Sequence, residues 1–275
     1  MTPGINISPT IYLEEYYEHY QAGVPVEKIV DNILAFYNAV KQEKSWEYNY
    51  ILRYEGVKDR IVFKLINTEQ NRDYLKGVPH IEFLDLSVVF YVLLEITEEG
   101  TAAMAVSLDH MKQWQVQKDR LWEDALKNVK HLLPAEFFTM KHALREILGR
   151  SAGVRDADIP GNLLDGQDEE RDGMYVLTNH IKSYGAACIA YPHIMEMIGN
   201  ILQTDFYVLP SSVHEVIITP CRSGISCEEL EAMVSEINET QVEQEEVLSS
   251  RVYRYERSTG KLCIGTERRQ GRAAG

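Results

Sequence analysis

The stretch DLSVVFYVLLEITEEGTAAMAVSL, residues 85–108, decides the fold class of this protein. Its first half, 85–97, is a long apolar run rich in the β-branched and aromatic residues that are typical of strands. Gly100 can adopt the positive φ of a tight turn, so the second run, 101–108, is predicted to fold back as a second strand. Because the first run is almost continuously apolar, we expect that strand to be buried on both faces.

A helix is predicted directly after this hairpin. Residues 119–134 carry apolar side chains at spacings of four, four and three, which is the period of a helix with one buried face. These side chains are Leu121, Ala125, Val129 and Leu132. Pro134 ends the helix because proline cannot continue the hydrogen-bond ladder. A further helix is predicted over 135–149, closing at Gly149.

The second half of the chain repeats this order. Residues 174–179 predict a strand, 186–192 a second strand after a turn, and 193–203 a helix. Two hairpin-plus-helix units are compatible with an internal duplication and equally with the general pattern of an α+β fold. We therefore predict an α+β protein built from two β-hairpin-plus-helix units, with a helical N-terminal segment.

The ends of the chain predict further regular elements. Near the N-terminus, Gly23 can end one helix and Pro25 can begin the next, whose apolar stripe includes Ile29 and Ile33. Ser226 with Glu229 forms the pattern of a capping box at the start of another helix. A final hairpin is predicted over 251–265.

A change in composition marks the predicted domain boundary. Residues 151–173 are rich in Asp, Glu and Gly and lack periodicity, which is typical of a linker or of a long exposed loop. If this segment is ordered, it is a candidate lid. We predict an N-terminal α+β domain over 1–150, a C-terminal α+β domain over 174–266, and a frayed tail over 267–275.

The charge of the chain narrows the classes of function. Forty-two acidic and 28 basic residues give a formal net charge of −14, which argues against direct binding to nucleic acid or to an anionic membrane surface. No secretory signal and no apolar run of about 18 residues is recognisable. The four cysteines form no C-x-x-C pair. We expect a soluble cytoplasmic protein with reduced thiols.

The motifs of the common enzyme classes are missing from the sequence. It has no Walker A loop, no G-x-G-x-x-G and no G-x-S-x-G. His214 and Glu215 begin an H-E-x-x-H pattern, but Ile218 stands where the second histidine is needed. We expect no bound metal and no cofactor.

A polar cluster in the apolar segment 205–221 supplies the main catalytic candidates. They are Ser211, Ser212, His214 and Glu215. If 211–220 is a strand, Ser212 and His214 share a face about 7 Å apart and Glu215 faces the other way. A self-contained Ser–His–Glu triad is then impossible, and His214 needs a partner from another segment. The alternative is that the serines cap a turn after Pro210 and that the imidazole bonds a neighbouring element.

Two weaker constellations complete the candidates. Cys188 with His193 has the residue types of a thiol nucleophile and its base, although Cys188 also fits as a small core residue. His80, Glu82 and Asp85 have the residue types of a metal site, but an acidic turn leading into a strand is the simpler interpretation and the one we favour.

Three separated blocks of the sequence carry a resemblance to a known family. They are TIYLEEYYEHYQAGVPVEKI at 10–29, the segment 57–93, and the segment 174–220 with its motif LPSSVHEVI. In order, they resemble an uncharacterised domain-of-unknown-function family of Gram-positive gut anaerobes, often encoded beside mobile-element genes. The resemblance covers most of 9–222 and implies a bacterial cytosolic protein. It supplies no activity, cofactor or catalytic residue.

Three hypotheses of function follow. The leading one is a non-catalytic protein-interaction or accessory factor with a protein partner, in the setting of a mobile element or of counter-defence. The alternative is a hydrolase with a site around His214 between the two halves, using Ser211 or Cys188. The third is an acidic mimic of nucleic acid that occupies a basic partner.

Overall fold

The computed structural model describes residues 14–42, 50–97, 100–143 and 173–265. The chain divides into two compact units, 1–57 and 58–275, here called the N-terminal unit and the main unit. The predicted boundary at 151–173 lies outside the described residues except for Gly173, and all of the predicted tail, 267–275, lies outside them. The predicted domain limits therefore stay a prediction.

The N-terminal unit is helical. Its described helices are α1 (Glu14–Gln21), α2 (Val26–Gln42) and α3 (Tyr54–Val57), and α1 packs against α2. Gly23 has φ of 85°, and its N–H donates to the carbonyl of Tyr20 at 3.0 Å. This is the left-handed helix end that glycine favours, as the sequence predicts. Ile29 is buried, in agreement with the predicted stripe of α2.

The first sheet of the main unit is antiparallel and is organised around one long strand. Strand β3 pairs with β1, β2 and β4, and the register sets Phe63 opposite Phe90. The strands are β1 (Ile61–Asn67), β2 (His80–Phe83), β3 (Leu86–Thr97) and β4 (Gly100–Ala105). Val88, Val89 and Phe90 are successive residues that point to alternate faces, and all are buried. The prediction of a hairpin with a strand buried on both faces is confirmed.

The described helices of the main unit include four between residues 72 and 202. They are α4 (Arg72–Leu75), α5 (Leu108–Trp114), α6 (Lys118–Leu132) and α7 (Ile194–Leu202). Helix α6 packs on β1 with Leu121, Ala125 and Val129 fully buried, as its spacing predicts. Trp122 adds an aromatic contact, with its ring 5.0 Å from that of Phe63. The apolar face of α6 is thus the cover of the first sheet.

The second sheet has six described strands in the order β10-β9-β7-β8-β6-β5. They are β5 (Ala135–Thr139), β6 (Tyr175–Asn179), β7 (Phe206–Leu209), β8 (Val216–Pro220), β9 (Tyr253–Glu256) and β10 (Lys261–Ile264). All the pairings are antiparallel. Helix α8 (Cys227–Thr240) begins at Ser226 with the predicted capping box, since Ser226 and Glu229 accept from each other's backbone N–H. The mixed α+β class is confirmed.

Two segments differ from the sequence predictions. Residues 135–139 form strand β5 instead of a helix, because Phe137 stacks on Tyr175 of the paired strand at 5.1 Å. A distant partner thus overrides the local helical pattern. Residues 185–190 form a 3-10 helix instead of the second strand of a hairpin. Their small side chains allow this helix to lie close against β6, so the second predicted hairpin is wrong in this part.

Candidate functional site

His214 lies in the bend between β7 and β8, where the chain leaves the sheet. Only Ser212 of this bend makes a β-type pairing, an isolated antiparallel bridge with Val247, and β8 begins at Val216. The prediction of a continuous strand over 211–220 is therefore wrong for 211–215. The reason is that Pro210 has no N–H to donate, and that the N–H groups of Leu248 and Ser249 donate to the carbonyls of Ser211 and Pro210.

The imidazole of His214 has partners on both ring nitrogens. Its Nε2 lies 3.0 Å from Oε1 of Glu246, and its Nδ1 accepts from the backbone N–H of Tyr184 at 3.4 Å. The acceptor role of Nδ1 places the proton of the neutral ring on Nε2, which then donates to the carboxylate of Glu246. A carboxylate that fixes one tautomer is also the orienting element of a catalytic histidine.

The ring of His214 ends a row of three aromatic side chains, which we call the aromatic row: Tyr91, Tyr184 and His214. Tyr184 stacks on His214 with centroids 5.7 Å apart, and Tyr91 stacks on Tyr184 at 6.3 Å. Lys64 of β1 brings its Nζ to 4.2 Å from the centre of the Tyr184 ring and 4.8 Å from that of Tyr91. The row joins the first sheet to the bend that carries His214.

Burial changes the acidity of several groups in this cluster. Desolvation lowers the pKa of the Lys64 ammonium to about 8, because the aromatic rings solvate the charge less well than water. Desolvation likewise raises the pKa of Tyr91. Burial raises the pKa of Glu215 and the nearby Glu246 adds to this, whereas His214 opposes it. Clusters of shifted pKa values are common at functional sites and also occur in structural networks.

The candidate nucleophiles do not meet the imidazole. The Oγ of Ser212 accepts from the backbone N–H of His214 at 3.0 Å, and Ser211 uses its carbonyl to accept from Leu248. Cys188 is buried in the 3-10 helix, where its thiol donates to the carbonyl of Thr178 at 3.2 Å. Desolvation raises the pKa of that thiol to about 12, so it is not a thiolate at neutral pH. Cys188 and His193 are likewise separate, since exposed His193 lies 3.5 Å from Glu196.

Gly185 is the point at which the bend packs against β6. A Cβ at this position would lie 2.6 Å from the carbonyl oxygen of His214 and 2.7 Å from the backbone nitrogen of Asn179. The hydroxyl of Thr178 also donates to the carbonyl of His214 at 2.9 Å. Glycine is therefore needed for the close approach that holds His214 in place.

In the third predicted cluster, His80, Glu82 and Asp85, the contacts are those of a structural role. Asp85 accepts from Ser249 Oγ at 2.7 Å and from the hydroxyl of Tyr253 at 2.5 Å, so its carboxylate links the two sheets. His80 contacts the carbonyl of Val78 through Nδ1, and Glu82 is exposed. In the described part of the chain, no three His, Cys, Asp or Glu residues are grouped so that they could hold a metal ion.

Sequence reasoning missed the residues that surround His214. Glu246 lies in a polar connection 32 residues away, and Tyr184 in a segment 30 residues away. Lys64 and Tyr91 belong to the other sheet and carry no local motif. The sequence indicated that His214 needs a partner from another segment, but it did not indicate which residue that partner is.

Comparisons with known proteins place the chain in a family. Among the helices that the structure describes, none has the length and apolar character to cross a membrane. No curated protein and no solved structure matches the chain. The model of a family of unknown function, DUF5688, matches residues 1–257. Since this match covers far more than half of the sequence, the chain belongs to the family of unknown function DUF5688.

Proposed function

We propose that this protein acts by binding another protein, as a non-catalytic interaction or accessory factor. The observation that carries the proposal is the side of the apolar face of helix α2 that is exposed to solvent. Val26, Val30 and Leu34 follow one another at intervals of four residues and expose 53%, 45% and 51% of their surface. With buried Ile29 and partly buried Ile33 these three residues form one apolar helix face, and their side of that face is left uncovered.

Helix α1 adds two exposed rings to the same unit. Tyr17 and Tyr20 are exposed and stack on each other with centroids 6.3 Å apart. Scattered apolar residues are normal on a surface, whereas a contiguous set marks an interaction site. Tyrosine is enriched at protein interfaces because it combines a large apolar ring with a hydroxyl that tolerates water. A partner with an apolar helical face fits this surface best.

The arrangement around His214 supports the non-catalytic side of the proposal. Its imidazole is engaged by Glu246 and by the backbone of Tyr184, while Ser212 and Cys188 bond elsewhere. A nucleophile must reach its base within hydrogen-bond distance for acyl transfer. The cluster is better suited to holding the bend and the two sheets together.

The experiment is an affinity purification from the organism that encodes the protein, with quantitative mass spectrometry. Leu34→Lys, which places a charge in the exposed stripe, is compared with Asn32→Lys, which places the same charge on an exposed polar position of α2. A protein that is recovered with the wild type and with Asn32→Lys, but lost with Leu34→Lys, supports the proposal. Recovery of no enriched protein, or equal recovery with all three baits, contradicts it. Circular dichroism checks that both variants keep their helix.

The finer setting of this role follows from the family resemblance described above. A cytoplasmic bacterial accessory factor, encoded with a mobile element and directed at host defence, is our interpretation of that resemblance. Comparison of gene neighbourhoods across the family tests it. A family distributed without mobile-element genes would remove this setting and leave the interaction role standing.

A hydrolase remains the second candidate, because of one observation. The contact of 3.0 Å between His214 Nε2 and Glu246 orients an imidazole that keeps about a quarter of its side chain exposed, at 28%. Such a pair acts as a general base only when Nδ1 exchanges its bond from the Tyr184 N–H for one from water or a substrate. A screen of ester, amide and phosphoester substrates in which His214→Ala removes a turnover that Ser223→Ala leaves intact would establish this alternative.

The acidic-mimic hypothesis has a more limited basis. Residues 223–250 contain eight glutamates and no Lys or Arg, and several of the glutamates lie exposed on α8. Binding of a basic partner through this segment would weaken steeply as salt is raised, because exposed charges are screened. Binding that is insensitive to ionic strength would exclude it.

A further inference from the structure

A groove of about 740 Å³ opens on the main unit, beside helix α7 and the start of the turn that joins β9 and β10. Its volume lies within the range of small-molecule sites, roughly 300–1,000 Å³. None of the residues that contact the His214 imidazole lines this groove. It is therefore a separate candidate site, and the proposed function does not use it.

The acidic side chains of the wall are only partly available. The carboxylate of Asp205 accepts from Arg254 Nη2 at 2.8 Å and from the backbone N–H of Arg257 at 3.1 Å, so its charge is balanced locally. Glu196 lies 3.5 Å from the imidazole of His193. Among the described residues, the carboxylate of Glu196 thus has no permanently charged cationic partner, and it lines the groove together with two arginines.

The two arginines are Arg222 and Arg257. Among the residues that the structure describes, neither forms an ion pair. Arg222 is exposed on the 3-10 turn Cys221–Ser223. The guanidinium of Arg257 has one long contact, 3.5 Å from Nη2 to Oε1 of Gln203. Within the described part of the chain, the groove is thus lined by two arginines without an ion pair and by two carboxylates, of which Asp205 is already balanced by Arg254.

Arg257 is also held in position before any ligand arrives. Its aliphatic stem lies against Gly199 of α7, where a Cβ would come within 3.1 Å of its Cγ atom. Its backbone N–H is fixed by Asp205. Anchoring of the backbone and of the first part of the side chain reduces the conformational entropy that the exposed Arg257 loses when it binds an anion.

Uncharged hydrogen-bond donors also line the groove. The amide of Asn200 and the hydroxyls of Thr204 and Ser258 line the same groove. Guanidinium groups bind phosphate through two parallel hydrogen bonds, and hydroxyl and amide groups bond the remaining oxygens. We propose that this groove binds the phosphate group of a small phosphorylated molecule, with Arg222 and Arg257 as its two cationic contacts. The volume exceeds the need of a free phosphate ion and leaves room for an organic part.

The test is isothermal titration calorimetry of the full chain with three probes: inorganic phosphate, ribose 5-phosphate and ribose. Binding of both phosphate probes but not of ribose is expected. Tighter binding of ribose 5-phosphate assigns the site to phosphorylated small molecules, and equal binding assigns it to free phosphate. Absence of binding by both phosphate probes overturns the proposal.

Matched charge variants show where the phosphate binds. Arg222→Gln and Arg257→Gln are each expected to weaken binding by about tenfold or more, the loss typical of one charged hydrogen-bonding group. Arg251→Gln removes the same charge from an exposed position outside the groove and should leave binding unchanged. Equal weakening by all three variants would mean non-specific attraction and would refute the site. Arg222 is exposed, so its variant keeps the test valid if Arg257→Gln unfolds, which thermal melting reveals.

Discussion

Removal of the Asp85 carboxylate is the sharpest test of how the main unit holds together. Asp85 lies in the turn before β3 and accepts from the hydroxyl of Tyr253, on β9 of the other sheet, and from that of Ser249, in the loop before β9. Both donors are buried, with exposed fractions of 1% and 0%. In Asp85→Ala these two buried hydroxyls lose this acceptor.

The magnitude follows from the two orphaned donors. A buried donor without a partner costs about 1–3 kcal/mol, so Asp85→Ala should lower the free energy of unfolding by roughly 2–6 kcal/mol. That is a large share of the roughly 5–15 kcal/mol that stabilises a typical domain. Tyr253→Phe removes one donor together with its need for an acceptor, and should cost about 1 kcal/mol.

Urea denaturation, followed by circular dichroism and tyrosine fluorescence, measures these values. Glu82→Ala is the matched control, because it removes an exposed carboxylate three residues away and should change stability by less than about 0.5 kcal/mol. In the Asp85→Ala background, Tyr253→Phe should cost nothing further, since the orphaned hydroxyl is gone. If Asp85→Ala costs no more than Glu82→Ala, the inference that this carboxylate joins the two sheets is refuted.

Three further predictions concern the surroundings of His214. Because the folded pKa of Lys64 is about 8 and therefore below its unfolded value, the unfolded chain binds more protons above pH 8, and the Lys64 contribution to stability should rise with pH from about 8 to 10. NMR titration of its ε-CH₂ signal checks the pKa, and Lys64→Met should abolish this part of the pH dependence. Buried Cys188 should resist a thiol reagent at pH 8 while exposed Cys263 reacts, and fast labelling of Cys188 in the folded chain would contradict the assigned burial. Gly185→Ala should cost about 1–3 kcal/mol by overpacking, whereas Gly77→Ala, with its nearest neighbour at 3.7 Å, should be nearly neutral in the same denaturation assay.

The proposed protein-binding surface and the phosphate site can be separated by experiment. Leu34→Lys lies in the N-terminal unit and should leave phosphate binding intact. Arg222→Gln lies in the main unit and should leave protein binding intact. If either variant abolishes both activities, the two sites are coupled or one proposal is wrong. Measurement of protein binding and of phosphate binding for both variants therefore shows whether the two sites are independent.

Much of the main unit could be predicted where local chemistry and global packing agree. The β-branched and aromatic residues of the run at 86–97 favour a buried strand, and the spacing of Leu121, Ala125 and Val129 favours a helix with one buried face. The prediction was wrong at 135–139, where the sequence has both helical spacing and aromatic residues that suit a strand. There, pairing with β6 decides the outcome, and that partner is far away in the sequence.

The elements that could be predicted correctly are those whose signals are local in the sequence. The left-handed Gly23, the capping box at Ser226 and the burial of β3 each depend on residues within one or two turns or on alternation along one strand. The surroundings of His214 depend on tertiary contacts, because Glu246 and Tyr184 bond its imidazole and Lys64 packs on the ring of Tyr184, each from a separate part of the chain. Periodicity shows which face of an element is buried, whereas the neighbour of that face depends on how strands from distant parts of the chain satisfy their backbone hydrogen bonds.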